Sequence, residues 1–161
     1  MPETHAEGIA VDSRYRGWVE ITAPTRREHL KRLEDFVEVL SATALPEDDK
    51  REIKLVMSEL CANAMEWGNR NDAHRKIRVS YGLFPDEIVF QIADEGEGFD
   101  HAHLPDPTAN PAAHLRQRER AGKRLGGFGV HLARRIMDNV VYNDKGNVVI
   151  LSRKLQGGRH G

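Results

Sequence analysis

The chain has one cysteine, Cys61, in 161 residues, so no intramolecular disulfide can form. That suits a cytoplasmic protein in which Cys61 is a small packed residue. Long apolar runs are missing as well. None approaches the roughly 20 residues needed to span a bilayer, and the opening M-P-E-T-H-A-E-G is acidic and polar, unlike a secretory leader. Nor does charge of one sign dominate: 24 Lys and Arg stand against 25 Asp and Glu, a formal net charge of −1. Such a balance exerts no general pull toward nucleic acid or an anionic membrane, and neither is expected as a direct partner. Internal repeats are absent. What is present is 39% hydrophobic content over 161 residues, enough for one core and too little for two ordinary domains.

The pattern along the chain is simple. Residues 1–14 and 156–161 are expected to be flexible tails flanking one domain over 15–155. Trp18 to Thr22 alternates as a strand, and Pro24-Thr25 opens a helix with Leu30, Leu33, Phe36, Val37 and Leu40 on one face. Pro46 starts a second helix. Ile77–Phe84 and Glu87–Ala93 make a hairpin around Pro85-Asp86. Residues 99 to 123 have almost no apolar periodicity and contain Pro105, Pro107 and Pro111, the pattern of a long loop, whose lid reading extends over 99–125. A last helix covers about Gly129 to Asn139, followed by Val140–Asn143, a turn at Asp144-Lys145-Gly146 and the strand Asn147–Leu155.

Three segments carry chemistry. Asp94-Glu95-Gly96-Glu97-Gly98 closes the strand Ile88–Ala93. An Asp there holds two acceptor oxygens in a fixed place, and the glycines let something flat lie against the backbone. Read by itself, the segment is equally an ordinary strand-ending turn. Upstream, Ile53, Val56, Met57, Leu60, Ala64 and Trp67 recur at helical spacing in a helix ending at Gly68. Glu59 and Asn63, four apart, are neighbours on its flank, where a groove between helix and sheet would open. Glu is a proton acceptor and Asn a neutral oxygen ligand suited to Mg²⁺; the plainer alternative is two solvated polar residues. Downstream, Arg124-Leu125-Gly126-Gly127-Phe128-Gly129-Val130 feeds a helix whose exposed N–H groups and positive dipole end suit phosphate. It is neither a P-loop, lacking Lys-Ser/Thr, nor a dinucleotide fingerprint, lacking a leading strand. A glycine loop serving tight packing is its alternative.

Together the segments resemble the boxes of Bergerat-fold (GHKL) ATPases: Glu59-x-x-x-Asn63-Ala64 is similar to the N box, Asp94-x-Gly96-x-Gly98 to the G1 box and Gly127-x-Gly129 to the G2 box. Their order and spacing, with Arg135-Ile136-Met137-Asp138, look most like the anti-sigma-factor serine/threonine kinases, over about residues 16 to 154. The resemblance implies that Glu59 is the general base, Asn63 the Mg²⁺ ligand and Asp94 the partner of the adenine amino group. It also implies that Gly96 and Gly98 shape the base pocket while Gly127 and Gly129 wrap the phosphates, within the binding run Arg124, Gly126, Gly127, Phe128, Gly129 and Val130. Trp67 stands where many members carry His. A Thr common near the last strands is missing, with Asn147 and Ser152 as stand-ins.

The basic cluster Arg116, Arg118, Arg120, Lys123 and Arg124 reads either as a solvated stretch or as lid cations approaching the β- and γ-phosphates. His101, His103 and His114 lack cysteines and helical ligand spacing, so no metal is expected there. A histidine kinase would need a phospho-accepting hairpin, and the surroundings of His29 are ordinary amphipathic helix; a topoisomerase would need a transducer after the last strand. The expected fold is a two-layer α/β sandwich, a mixed and mostly antiparallel sheet backed by three helices. The function implied by resemblance is an ATP- and Mg²⁺-dependent serine/threonine kinase acting on an anti-anti-sigma (STAS-type) protein, with a sigma factor as second partner and a homodimer as a compatible state. The alternative is a module that binds ATP, sequesters a sigma factor or other regulator and transfers nothing.

Overall fold

The computed structural model describes residues 2–5, 9–12, 18–98 and 127–155. The sequence lid over 99–125, with its cations Arg116, Arg118, Arg120, Lys123 and Arg124, its histidines and Gly126, lies outside them. Seven strands form one sheet: β1 (Pro2–His5), β2 (Ile9–Asp12), β3 (Trp18–Pro24), β4 (Lys76–Leu83), β5 (Glu87–Ala93), β6 (Asn139–Tyr142) and β7 (Val148–Lys154). Their spatial order is β1-β2-β3-β4-β5-β7-β6. Every described pairing is antiparallel, so the parallel part of the expected mixed sheet is absent among the described residues. Within the segment 1–14, expected to be a flexible tail, β1 and β2 pair with each other, and β2 pairs with β3 with Ile9 opposite Ile21.

Among the described residues three α-helices cover one face: α1 (Leu30–Phe36), α2 (Glu47–Asn63) and α3 (Gly127–Ile136). The period-two rows of the strands supply one side of the core with Ile21, Ile77, Val79, Ile88, Phe90, Ile92, Val149 and Leu151, all buried. The period-3.6 stripes of the helices supply the other with Leu33, Ile53, Val56, Met57, Leu60, Val130, Ala133 and Ile136. This is the two-layer sandwich.

Two helix boundaries move for identifiable reasons. The first helix does not open at Pro24-Thr25. Strand β3 runs through Pro24, and Thr25 is tied to the sheet, its amide and its hydroxyl both donating to the Arg75 carbonyl at 3.0 and 2.7 Å. A single 3₁₀ turn (Arg27–His29) then leads into α1. The last helix stops at Ile136 rather than Asn139. The buried Arg153 donates through Nη1 to the Ile136 carbonyl at 2.8 Å, and Asp138 joins the sheet by donating its amide to the Ser152 carbonyl at 2.9 Å. Arg153 also donates through Nη2 to Asp49 Oδ2 at 2.5 Å, so the start of α2 is bound to the end of α3.

Helix α2 carries Glu47, Asp48 and Asp49 in its first turn, where carboxylates oppose the positive dipole end. Beyond Asn63 the helix does not simply stop. A five-residue π-helical turn, Ala64–Gly68, widens it before the chain reverses. Such turns concentrate at functional sites.

Candidate functional site

At the end of β5, Asp94 keeps the sheet ladder with its backbone, donating its amide to the Asn147 carbonyl at 2.9 Å. Its carboxylate Oδ1 accepts the Gly96 amide at 2.8 Å. The carboxylate lies directly on the backbone of the π turn: a Cβ added at Gly68 would sit 2.4 Å from both Asp94 Cγ and Oδ2. Burial pushes the Asp94 carboxyl up to about 6, against the opposing pull of the Gly96 amide, Arg75 and Lys145. The two glycines that follow are required by close approach. A Cβ at Gly96 would meet the Gly68 carbonyl oxygen at 1.9 Å, and Gly98, at φ +85°, would meet the Lys145 carbonyl oxygen at 1.7 Å. The result is a half-buried acceptor on a side-chain-free floor.

The other end of the site is built on the same helix. Glu59 and Asn63 lie one turn apart on α2, both half-buried. The first turn of α3 packs onto them through Gly129, whose added Cβ would lie 3.0 Å from Asn63 Nδ2 and 3.2 Å from Glu59 Cβ. Asn63 Oδ1 is buried, and among the described residues none donates a hydrogen bond to it. Gly127 and Phe128 supply backbone to this turn, while Val130 turns its side chain into the core at 1% exposure. Arg124 and Gly126 fall outside the described residues. The structure therefore brings together Glu59, Asn63 and Gly129 at one end and Asp94, Gly96 and Gly68 at the other. The π turn with Trp67 links the two groups.

Of the two stand-ins for the missing Thr, Asn147 is beside Asp94 and donates through Nδ2 to the Asp94 carbonyl at 3.2 Å. Ser152, further along β7, instead accepts from Asn139 Nδ2 at 2.9 Å. Sequence reasoning missed Asn69. Fully buried, it donates through Nδ2 to Thr25 Oγ1 at 2.7 Å and to the Lys76 carbonyl at 2.9 Å, and accepts the Glu95 amide on Oδ1 at 2.7 Å. The available signal was slight: an Asn, a residue type that bonds backbone, directly after the helix-stopping glycine.

Among the described residues no three His, Cys, Asp or Glu side chains cluster as a metal site, and no helix is long and apolar enough to cross a membrane. Residues 23–153 match the family model of the histidine kinase-like ATPase domain. A serine-protein kinase RsbW of Bacillus subtilis is 26% identical over 152 residues, covering 88% of each chain. One from Bacillus cereus is 25% identical over 145 residues, covering 86% of this chain and 85% of its own. A third, from Oceanobacillus iheyensis, is 30% identical over 108 residues, 64% of this chain and 63% of its own. The chain belongs to the histidine kinase-like ATPase family.

Proposed function

We propose that this histidine kinase-like ATPase domain is an anti-sigma regulatory factor acting in the cytoplasm. It takes phosphate from ATP and passes it to a serine or threonine of an anti-anti-sigma partner, with a sigma factor as its second partner. Similarity to serine-protein kinases over most of both chains supports the reaction class. The observation that carries the reading is the shared face of Glu59 and Asn63 under Gly129 at the start of α3, with Asp94 at the far end of the same helical run.

Each residue has a chemical task there. Asp94, ionised above about pH 6, accepts a hydrogen bond from the adenine amino group. The first turn of α3 turns its backbone N–H groups and positive dipole end toward the phosphates. Glu59 takes the proton from the incoming hydroxyl as that oxygen bonds to the γ-phosphorus and the bond to the departing ADP oxygen breaks. Asn63 fits Mg²⁺ as a neutral amide oxygen donor, with phosphate and water completing the shell. A cation held there would offset charge on the phosphate oxygens.

The test is radiolabelled transfer from ATP to the co-purified partner, wild type against Glu59→Gln. A general base contributes about 10²–10⁴-fold to rate and little to ground-state binding, so the variant is expected to keep ATP and partner while losing transfer by that factor. A wild type that binds both ligands and transfers nothing is a sequestering module instead.

A further inference from the structure

The peptide unit joining Asp94 to Glu95 is held from both sides. Its N–H, on Glu95, donates to Asn69 Oδ1 at 2.7 Å, and its carbonyl, on Asp94, accepts from Asn147 Nδ2 at 3.2 Å. Fixing that plane fixes ψ of Asp94 and so the direction in which its side chain leaves the backbone. Asn69 is itself immobilised. Both its Nδ2 hydrogens are used, on Thr25 Oγ1 and the Lys76 carbonyl, and its amide donates to the Ala64 carbonyl at 2.8 Å. The turn that seats it takes two consecutive non-glycine residues into left-handed backbone, Arg70 at φ 53° and Asn71 at φ 57°, a conformation that ordinarily costs free energy. On the same loop the Glu95 side chain accepts the Lys76 amide through Oε1. The loop is thus fastened to the end of the helical run, to β4 and to the turn before β7.

We propose that Asn69 and Asn147 form a clamp on the Asp94–Glu95 peptide that aims the Asp94 carboxylate, and that they are the positioning residues for discrimination of the nucleotide base. The inference rests on the reading of Asp94 as the acceptor for the adenine amino group. A merely structural Asn69 would, on loss, weaken all nucleotides alike. A clamp would, on loss, weaken the contact with the amino group selectively.

Inosine triphosphate separates these outcomes, because it carries the same ribose and triphosphate with a keto oxygen in place of that amino group. Affinities for ATP and inosine triphosphate would be measured by calorimetry on the full chain for wild type, Asn69→Ala, Asn147→Ala and Thr25→Val. Wild type is expected to prefer ATP by about tenfold or more, the range for a hydrogen bond to a charged partner. Asn69→Ala and Asn147→Ala should bring that ratio below about threefold by losing ATP affinity. Thr25→Val removes one of the two bonds made by Asn69 Nδ2 but leaves those to the Lys76 carbonyl, the Ala64 carbonyl and the Glu95 amide, so its thermal midpoint should fall while the ratio holds. Full retention of the ATP preference in the clamp variants overturns the inference and leaves the Asp94 reading intact. A wild type without preference overturns both. If Asn69→Ala does not fold, Asn147→Ala against Thr25→Val decides the matter in the same terms.

Discussion

In its proposed role at the base site, Asp94 sets stability against function. Its carboxyl is pushed up to about 6 in the folded chain from an ordinary value of 3.8, so the folded state binds its proton more tightly than the unfolded state does. A raised acid of this kind contributes stability below pH 3.8, and that contribution is lost as pH rises through about 6. The proposed contact with the base runs the other way, because the ionised carboxylate is the better acceptor. Asp94→Asn removes the charge while keeping an oxygen for the Gly96 amide. It should raise stability at pH 7 by roughly 1 kcal/mol, a value already reduced for solvent screening at a half-buried site. The same variant should lose about ten- to hundredfold in ATP affinity and show no rise in affinity between pH 5 and 7. Thermal unfolding and calorimetry across that pH range check both halves. Unchanged ATP affinity would remove Asp94 from the base site.

The helical run from Glu47 to Gly68 connects the two ends of the site. Its regular part presents Glu59 and Asn63 to α3, and its π turn delivers Gly68 beneath Asp94. Gly68→Ala has nowhere to put its methyl group, since the nearest atoms, 2.4 Å away, belong to a carboxylate held by the Gly96 amide. Displacing that carboxylate, or the turn, should cost about 1–3 kcal/mol of stability and at least tenfold in ATP affinity. Urea unfolding and nucleotide titration would report these; a variant with normal affinity would mean that the carboxylate can shift and still function. The glycines themselves were legible in the sequence as backbone needing close approach. Their partners were not, because Gly68 and Asp94 are 26 positions apart and no local pattern pairs them.

Across the whole molecule, α2 and α3 run antiparallel and are joined at both ends. Gly129 meets Asn63 at one end, and Arg153 bridges Asp49 and the Ile136 carbonyl at the other. Arg153 is 2% exposed, and with Asp49 removed the carboxylate left to it is Asp138, whose Oδ2 lies 4.0 Å from Nε. Asp49→Ala removes one charged hydrogen bond and is expected to destabilise the fold by about 2 kcal/mol, read as a lower urea midpoint with an unchanged slope. A loss below about 0.5 kcal/mol would make the pair a surface-like contact.

By itself the sequence determined the alternation of the core strands, the apolar stripes of the helices, the order of the three glycine- and acid-bearing segments and the neighbouring positions of Glu59 and Asn63. These are one-dimensional consequences of burial, since a strand or helix with one dry face must repeat at period 2 or 3.6. Tertiary structure alone decided that every described pairing is antiparallel, that the first residues add strands to the sheet, and that the helix carrying Asn63 widens into a π turn. It alone selected Asn69 and Arg153 from the many polar residues. Asn69 reaches Thr25 across 44 positions and Glu95 across 26, and Arg153 reaches Asp49 across 104. A polar side chain fully satisfied by such distant partners looks, in the sequence, like one solvated by water, because hydrogen-bond satisfaction depends on spatial neighbours and leaves no periodic trace.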